Sequence, residues 1–503
     1  MPSEERLHPV SILFSFGRSL KAFAVPGLVG LVIAARRPGP NMDGWMMLFL
    51  IPAAVAAIVR YLSFRLRYEG TELVIHSGLI FRNERHIPYA RIQNLDAVQN
   101  VFHRLLRVIE VRIQTGAGAE PEATISVLPA SALEEMRRRV FAHAEPSEAA
   151  ARPAAVPLLE LPLRELLLHG FLVNRGMVAI AALYGLLWEF GLMDRFVDPV
   201  FGDEAQREGM LRELAGTVLS GRTVSLVQIG LALGGLTAFL IVVRVVSRGW
   251  AVVRLFGYRL TKVGEDLRIE FGLFTRVTAT IPLRRIQSLT IREGPLYRLF
   301  GRVSVRVETA GGRAAGQEGQ TSAREWLAPL IRPASLGALV TQVLPELGGS
   351  DPRERADWQL APPRAFRRAV KGRVLLAAIV CIPAALLLGV WAFAVAAVAF
   401  PWSVYAARRY VQHLGWAADD HSVVFRSGWL WRSTTIARVS KIQAVALRES
   451  PFDRRAAMAS VRVDTAGANE RSHRIDIPYL PRERAANLQL RLAAQAADSA
   501  FHW

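Results

Sequence analysis

Three glutamines and six basic residues recur at matched places in the chain and are its best candidates for chemistry. Each glutamine ends an apolar-basic phrase, which reads IPYARIQNL at 87–95, IPLRRIQSL at 281–289 and ARVSKIQAV at 437–445. An amide can hydrogen-bond backbone, and an arginine can bind a phosphate or carboxylate through two parallel hydrogen bonds. The candidate contact residues are Gln93, Gln287, Gln443, Arg112, Arg306, Arg462, Arg91, Arg285 and Lys441.

Each group of candidates has a structural and a functional interpretation. The three glutamines are most simply explained as residues that bind backbone at a strand end, and the alternative is contact with a partner strand or a ligand. Arg112, Arg306 and Arg462 are most simply solvent-facing strand residues. Their functional alternative is bidentate binding of lipid phosphates.

The sequence predicts no catalytic residues, no metal site and no cofactor. His413, His421 and His473 lack the spacing of metal ligands. The glycine-rich stretch GGRAAGQEG at 311–319 has no P-loop lysine and is expected to be a hairpin loop. The one cysteine, Cys381, lies in an apolar run, so neither a disulfide framework nor a thiolate cluster is available.

The composition indicates a membrane protein. Of 503 residues, 51% are hydrophobic, which is high for a soluble chain. The net charge of +19 would ordinarily suggest an anionic partner, either nucleic acid or a lipid surface. All but four of the 62 basic residues are arginines, however, and they are spread along the chain without a recognised motif. We interpret this bias mostly as genome composition and predict no nucleic-acid binding.

Charge-free apolar runs predict six membrane spans arranged as three hairpins. The first four runs are 22–35, 44–59, 176–188 and 223–243. The third region, 374–407, would reach about 51 Å as one helix and overshoot about 30 Å of hydrocarbon, so two spans that turn near Gly389 are predicted. Arginines beside the spans place both termini in the cytoplasm.

The glutamine phrase belongs to a longer repeat. A glycine lies fifteen residues before each glutamine, and an arginine lies four residues after each glycine. Another arginine follows each glutamine by eleven residues, and a threonine follows it by twenty-two. In chain order these are Gly78, Gly272 and Gly428; Arg82, Arg276 and Arg432; Arg104, Arg298 and Arg454; and Thr115, Thr309 and Thr465. Spacings kept without insertion indicate a triplicated domain.

Each repeat is predicted to fold as an antiparallel sheet that ends in a helix. The alternating segments VRIQT, VRVET and VRVDT are typical of half-buried strands, and each glycine lies in the turn of a hairpin. A proline precedes each closing helix, at Pro129, Pro333 and Pro481. Since a leucine and a proline also precede each apolar hairpin, the duplicated unit includes a juxtamembrane segment and a membrane hairpin.

These motifs resemble the bacterial pleckstrin-homology family (bPH2), formerly filed as a domain of unknown function. The resemblance depends on the IPxxRIQ phrase, the segments at 102–105 and 296–299, and the VRVxTAG strand. It covers essentially the whole chain and has the layout of the longer, YdbT-like members. The family implies a PH-like fold, two roughly orthogonal sheets with a C-terminal helix, that faces the cytoplasm. The third copy departs from the pattern with ARVSKIQ and FDRRAAM, which weakens any ligand inference for that copy.

The predicted fold class is an α+β membrane protein with three PH-like β domains, each with a C-terminal helix and each preceded by a two-helix transmembrane hairpin. The predicted boundaries are 1–62 for the first juxtamembrane segment and hairpin, 63–145 for the first PH-like domain, 146–168 for a linker, 169–247 for the second hairpin, 248–347 for the second domain, 348–370 for a linker, 371–408 for the third hairpin and 409–498 for the third domain.

The predicted function is that of a non-enzymatic scaffold or assembly protein in the cell inner membrane, with its PH-like domains in the cytoplasm. The expected partners are the bilayer, anionic lipid headgroups, and either a smaller single-PH-domain membrane relative or a second copy. Family resemblance suggests a complex that serves envelope stress or export. The alternative is a transport or lipid-handling protein whose spans form a polar path, which the scarcity of polar residues in the spans disfavours, Gln228 being the main exception.

Overall fold

The computed structural model describes residues 4–16, 54–173 and 226–498 with gaps, of which the longest are 116–122, 140–155, 310–325 and 466–474. Residues 17–53, 174–225 except for single positions, and 499–503 lie outside the described part. The chain divides into two compact units. The first comprises Met1–Leu158, Arg259–Arg284 and Ala310–Arg324, and the second comprises Leu159–Tyr258, Arg285–Thr309 and Glu325–Trp503.

The first unit contains the whole β domain of the first repeat and the first strands of the second. A four-stranded antiparallel sheet follows chain order. Its strands are β1, Glu4–Arg6; β2, Arg65–Tyr68; β3, Glu72–Ser77; and β4, Asn83–Pro88. The turn between β3 and β4 begins at Gly78, whose φ of 89° favours glycine. The predicted hairpin turn is therefore confirmed.

The second sheet of this unit continues beyond the first repeat. Its first-repeat strands are β5, Ile92–Gln99; β6, Val108–Thr115; and β7, Ala123–Pro129, with helix α1, Val101–Leu105, between β5 and β6. The remaining strands are β8, Val156–Glu160; β9, Arg259–Val263; β10, Asp266–Phe271; and β11, Arg276–Pro282. The strand order is β7-β6-β5-β11-β10-β9-β8.

The core of the first β domain lies between these two sheets. Buried Leu73 and Ile87 of the first sheet belong to one apolar cluster with Leu95 and Val111 of the second sheet, and Met136 closes the cluster near the end of the domain. Alternate residues of each strand face this core, as the period of two in the sequence requires. Two sheets closed by helical residues are the PH-like arrangement that the sequence predicted.

The second unit begins with two helices and the rest of the second repeat. The helices are α2, Leu163–Leu172, and α3, Leu226–Leu255. They are followed by β12, Ile286–Glu293; α4, Pro295–Leu299; β13, Val303–Thr309; β14, Trp326–Ile331; and α5, Leu336–Val343.

The third repeat completes the second unit. Its elements are β15, Gln359–Leu360; α6, Pro363–Leu388; α7, Ala392–His413; β16, Gly415–Ala418; β17, Ser422–Ser427; β18, Arg432–Arg438; β19, Ile442–Arg448; α8, Pro451–Arg455; β20, Met458–Thr465; β21, Ile475–Pro481; and α9, Arg482–Asp498. The sheets have the orders β14-β13-β12-β18-β17-β16-β15 and β19-β20-β21. Val423, Val461, Ile477 and, from α9, Leu488 form the core of this repeat. The predicted helices after Pro333 and Pro481 are both present.

One of the described helices is long and apolar enough to cross a membrane. The candidate span, Leu233–Leu255, lies in α3 and overlaps the predicted span 223–243. The helix continues through Arg244, Arg248 and Arg254, past the end of the predicted span. The predicted span 22–35, and most of 44–59 and 176–188, lie outside the described residues.

The six-span prediction therefore has support from a single span among the helices that the structure describes. Within region 374–407 the structure describes the end of helix α6 and the start of helix α7, and neither helix is among the candidate spans found in the described residues. The two predicted linkers are partly ordered, because β8 and the start of α2 lie within 146–168, and β15 and the start of α6 lie within 348–370. Leu161 and Leu166 are buried there. Burial of these apolar residues next to Pro162 favours regular structure in the first predicted linker.

Candidate functional site: the edge-strand joints between repeats

In the first unit, the first repeat is joined to the second by strand pairing. β5 pairs antiparallel with β11, with Gln99 opposite Arg276 and Ala97 opposite Thr278. Beside this ladder, Arg104 of α1 donates a hydrogen bond from Nη2 to the carbonyl oxygen of Leu273 at 2.6 Å. Leu273 follows Gly272 in the β10–β11 turn, so the arginine binds the end of the next repeat's hairpin.

In the second unit, the second repeat is joined to the third in the same way. β12 pairs antiparallel with β18, from Glu293 opposite Arg432 to Ser288 opposite Ala437. Arg298 of α4 donates from Nη1 to the Trp429 carbonyl oxygen at 2.9 Å. Its Nη2 donates to the Leu430 carbonyl oxygen at 3.0 Å. A planar guanidinium suits such a pair of adjacent acceptors.

The two joints have one register. Gln99 and Glu293 each follow a repeated glutamine by six positions. They lie opposite Arg276 and Arg432, which each follow a repeated glycine by four positions. In both, the arginine eleven positions after the glutamine binds the turn of the following hairpin. The sequence analysis found these spacings but assigned no role to Arg104 or Arg298. Their fixed distance from both the glutamine and the glycine was the signal that could have revealed a joint.

Three candidate arginines lie in the equivalent strands β6, β13 and β20. Each contacts a side chain of its own repeat. Arg112 forms an ion pair with Glu110, with Nη2 to Oε1 at 2.9 Å. Arg462 lies 3.2 Å from an Asp476 carboxylate oxygen. The Arg306 guanidinium lies over the Trp326 ring, 4.3 Å from its centroid. All three side chains are half-buried rather than fully exposed, because they lie along the faces of their sheets.

The repeated glutamines differ between copies in their surroundings. Gln287 is only 3% exposed, and its Nε2 donates to the Arg285 carbonyl oxygen at 3.2 Å. Gln443 is exposed. Gln93 lies in β5, and its side chain is outside the described part of the structure.

The other basic candidates lie in the short 3-10 turns that precede β5, β12 and β19. These turns are Tyr89–Arg91, Leu283–Arg285 and Val439–Lys441. Arg91 is exposed, whereas Arg285 and Lys441 are half-buried. Each candidate group thus occupies one equivalent place in its own repeat, and a role in ligand binding stays a prediction.

A second set of contacts ties each juxtamembrane segment to its own β domain. In the first repeat, the rings of Phe14 and His103 stack with centroids 4.1 Å apart. In the third, Arg368 of α6 donates from Nε to an Asp453 carboxylate oxygen at 2.7 Å, beside α8. The residues just after β5 and β12 therefore lie next to both a joint and a membrane-side helix, whereas those just after β19 lie next to a membrane-side helix.

In the second repeat, a bidentate ion pair joins the juxtamembrane helix α2 to the residue before β13. Arg302 donates from Nε and Nη2 to the two carboxylate oxygens of Glu165 at 3.0 Å and 2.8 Å. The two side chains are 16% and 13% exposed. The hydrogen bond from Arg302 holds the pKa of the Glu165 carboxyl below its usual value, because it stabilises the ionised form.

In the residues that the structure describes, the repeated side chains make contacts within and between repeats. Among the described residues, no group of three or more histidine, cysteine, aspartate or glutamate side chains is placed to hold a metal ion. The repeated residues instead form strand edges, hairpin ends and helix contacts, which recognise polypeptide backbone.

Repeated two-sheet lobes with closing helices, joined through their edge strands, define a protein of repeated PH-type modules. The family described as "Bacterial PH domain" matches residues 17–144, 216–343 and 373–496, and the chain belongs to that family. It is similar to the transmembrane protein YdbT of Bacillus subtilis (strain 168), with 21% identity over 491 residues and 92% of each chain covered. No solved structure matches the chain significantly. The family resemblance and the triplication predicted from the sequence are confirmed.

Proposed function

We propose that the chain is a non-enzymatic scaffold of the inner membrane whose three PH-like domains lie in the cytoplasm and assemble proteins through their strand edges. The observation that carries this proposal is the shared register of the β5–β11 and β12–β18 joints. Both joints are made by β-augmentation, in which an exposed edge supplies unpaired backbone groups to another strand. Modules that already bind one another in this way are suited to bind further strands.

Membrane attachment is part of the proposal. The candidate span Leu233–Leu255 supports it, and the Bacillus relative is named a transmembrane protein. We extend it to six spans because the two other apolar regions stand in the same place of their repeats. Arg60, Arg65 and Arg67 beside the second predicted span favour a cytoplasmic location for the first domain.

The contacts between juxtamembrane segments and β domains support a scaffold of defined geometry. Glu165 with Arg302, and Asp453 with Arg368, connect a membrane-side helix to a lobe through charged hydrogen bonds. Anionic lipid adds about 1 kcal/mol for each basic residue near the surface. Because the helices already hold the lobes at the membrane, such lipid binding orients the domains rather than recruits them.

Proximity crosslinking of the full chain in its native membrane, followed by purification in mild detergent, tests the scaffold role. We expect specific proteins to crosslink to the PH-like domains and to remain bound during purification. A lone chain in both experiments would contradict the proposal. Movement of lipid or peptide by the purified chain in liposomes would replace it with a transport function.

A further inference from the structure

Two strand edges that correspond to the joint edges have no partner strand in the described part of the structure. β4 ends the first sheet, although its equivalents β11 and β18 pair with β5 and β12. β19 ends the last sheet, although its equivalents β5 and β12 pair with β11 and β18. Among the described strands there is thus one unpaired edge of each kind, and the two kinds are complementary.

Exposure distinguishes the open edges from the paired edges of the β12–β18 joint. In β12, all six residues from Ile286 to Ile291 are buried. In β19, Ile442 is the one buried residue of the equivalent positions, and Gln443, Ala444 and Ala446 are exposed. Residues 83–86 of β4 are exposed, whereas the middle and end of β18 are buried. In the β12–β18 joint, the partner strand covers positions whose equivalents in β4 and β19 are exposed to solvent.

We propose that β19 of one copy pairs with β4 of a second copy of this chain, in the register of the two joints within the chain. This assignment rests on the proposed scaffold function and names its partner. The register places Glu449 opposite Arg82 and Arg448 opposite Asn83, since Glu293 lies opposite Arg432 and Arg292 opposite Ser433 in the internal joint. The acid-base pair at the end of the ladder is thereby kept.

Arg454 is the second element of this interface. It occupies the place in α8 that Arg104 occupies in α1 and Arg298 in α4, and both of those bind the hairpin end of the next repeat. The Arg454 side chain is exposed, and its guanidinium has no hydrogen-bond or ion-pair partner among the described residues. In the assembly, we place it against the β3–β4 hairpin of the second copy, next to β4.

Such an interface is heterologous, because different surfaces of the two copies meet. Heterologous contacts repeat from copy to copy and give closed rings or open chains. A β19–β4 contact therefore lets copies of the chain assemble into a closed ring or an open chain.

Cysteine pairs in the full chain test the register directly. In a Cys381→Ala background, Asn83→Cys is placed in one tagged copy and Arg448→Cys in a differently tagged copy, and the coexpressed chains are treated with a mild oxidant. We expect a disulfide-linked pair that carries both tags. Arg292→Cys with Ser433→Cys in one chain is the positive control, since these residues are opposite each other in the internal joint. Leu447→Cys replaces Arg448→Cys as the register control, because a one-residue shift points to the other face.

Arg454→Glu tests the second element, with Arg455→Glu as the matched control for charge. Both arginines are exposed in α8, but only Arg454 matches the joint arginines. We expect Arg454→Glu to lower the yield of the two-tag disulfide about tenfold, with Arg455→Glu close to the parent and both variants equal to the parent in thermal unfolding. Equal losses in both variants would overturn the role of Arg454.

The proposal is overturned if the internal control closes while the two-tag disulfide does not form. It is also overturned if a chain that carries both Asn83→Cys and Arg448→Cys forms only an intramolecular disulfide. That result would place β19 against β4 of the same copy. If crosslinking to other proteins persists in either case, the scaffold function stands and only the second copy is wrong as its partner.

Discussion

Arg298 binds two adjacent backbone carbonyls of the third repeat, and Arg302, four residues later, binds the carboxylate of a juxtamembrane helix. Hydrogen bonds with one charged partner contribute more to stability than neutral ones. At the scale of residues, the short segment after β12 therefore connects three parts of the second unit: the edge joint, the next hairpin and α2.

Arg298→Ala is expected to loosen the β17–β18 hairpin, because it leaves the Trp429 and Leu430 carbonyls without their donors. The expected loss is about 1 to 2 kcal/mol, seen as faster amide hydrogen exchange at the hairpin end. Arg298→Lys restores less than half of the protection, since an ammonium cannot span both acceptors as a planar guanidinium does. Arg455→Ala, an exposed arginine of the same unit, serves as the control. Unchanged exchange in Arg298→Ala would refute the role of this contact.

Glu165→Gln is expected to destabilise the second unit in a pH-dependent manner. The pKa of Glu165 is lowered in the folded state, so the ionised carboxylate contributes stability above its unfolded pKa of about 4.3. That contribution is lost as the pH falls through the lowered folded value. The difference in Tm between the parent and Glu165→Gln is thus full near neutral pH and shrinks below about pH 4. Glu354→Gln, at an exposed position, is the control. A difference that stays constant into acid would rule out the linkage.

At the scale of elements, α2 and α3 approach each other closely at a glycine. A Cβ on Gly170 would lie 2.5 Å from the Arg248 Cα and 2.8 Å from the Ser247 carbonyl oxygen. Next to this crossing, Arg244 donates from Nη1 to the Phe171 carbonyl oxygen at 2.6 Å. This hydrogen bond satisfies a backbone carbonyl at the end of α2, where the last carbonyls have no partner within the helix. The juxtamembrane helix is therefore held to the candidate span by backbone proximity and by side chains of α3.

Gly170→Ala is expected to force α2 and α3 apart and to lower stability by about 1 to 3 kcal/mol. Gly249→Ala is the matched control, because it lies in α3 with nothing within 4 Å of an added Cβ. In a helix interior, alanine is favoured over glycine by about 1 kcal/mol, so this control is expected to be stabilising. Thermal unfolding in detergent measures both variants. Changes of the same sign and size would show that the close crossing has no energetic role.

At the scale of the whole molecule, sheets extend across the boundaries of the repeats. In the first unit, strands of the first repeat continue into those of the second, and in the second unit strands of the second repeat continue into those of the third. Each joint protects an edge that would otherwise be open to unwanted pairing. Consecutive repeats of one chain thus pair through their edge strands, and we propose the same pairing between separate copies of the chain.

The proposed orientation predicts which positions are reached from each side of the membrane. Residues 189–222, which connect the third and fourth predicted spans, contain seven acids and four arginines. In a Cys381→Ala background, Gln206→Cys lies in this connection and is expected to react with an impermeant thiol reagent in spheroplasts. Ser499→Cys, near the C-terminus, is expected to react only after lysis. Cys381→Ala alone controls for background labelling. Labelling of Ser499→Cys in intact spheroplasts would reverse the orientation.

The sequence by itself determined the repeat, the hairpin turns and the family. Gly78, Gly272 and Gly428 have positive φ values of 89°, 113° and 82°, as turn glycines require, and the closing helices follow Pro333 and Pro481. Such features depend on local backbone preferences and on periodicity, which a sequence displays directly. Arg104, Arg298 and Arg454 were visible as a pattern, but the acceptors of Arg104 and Arg298 are backbone carbonyls, which every residue carries and no sequence distinguishes.

Only the tertiary structure decided which strand edges meet. The partners of β5 and β12 lie in the following repeats, far away in the chain, and an edge of free N–H and C=O groups accepts any strand that has the right twist and register. The same holds for the close crossing at Gly170, which depends on how two helices approach and not on either helix alone. Local pattern therefore specified the modules, whereas long-range backbone pairing specified how they are joined.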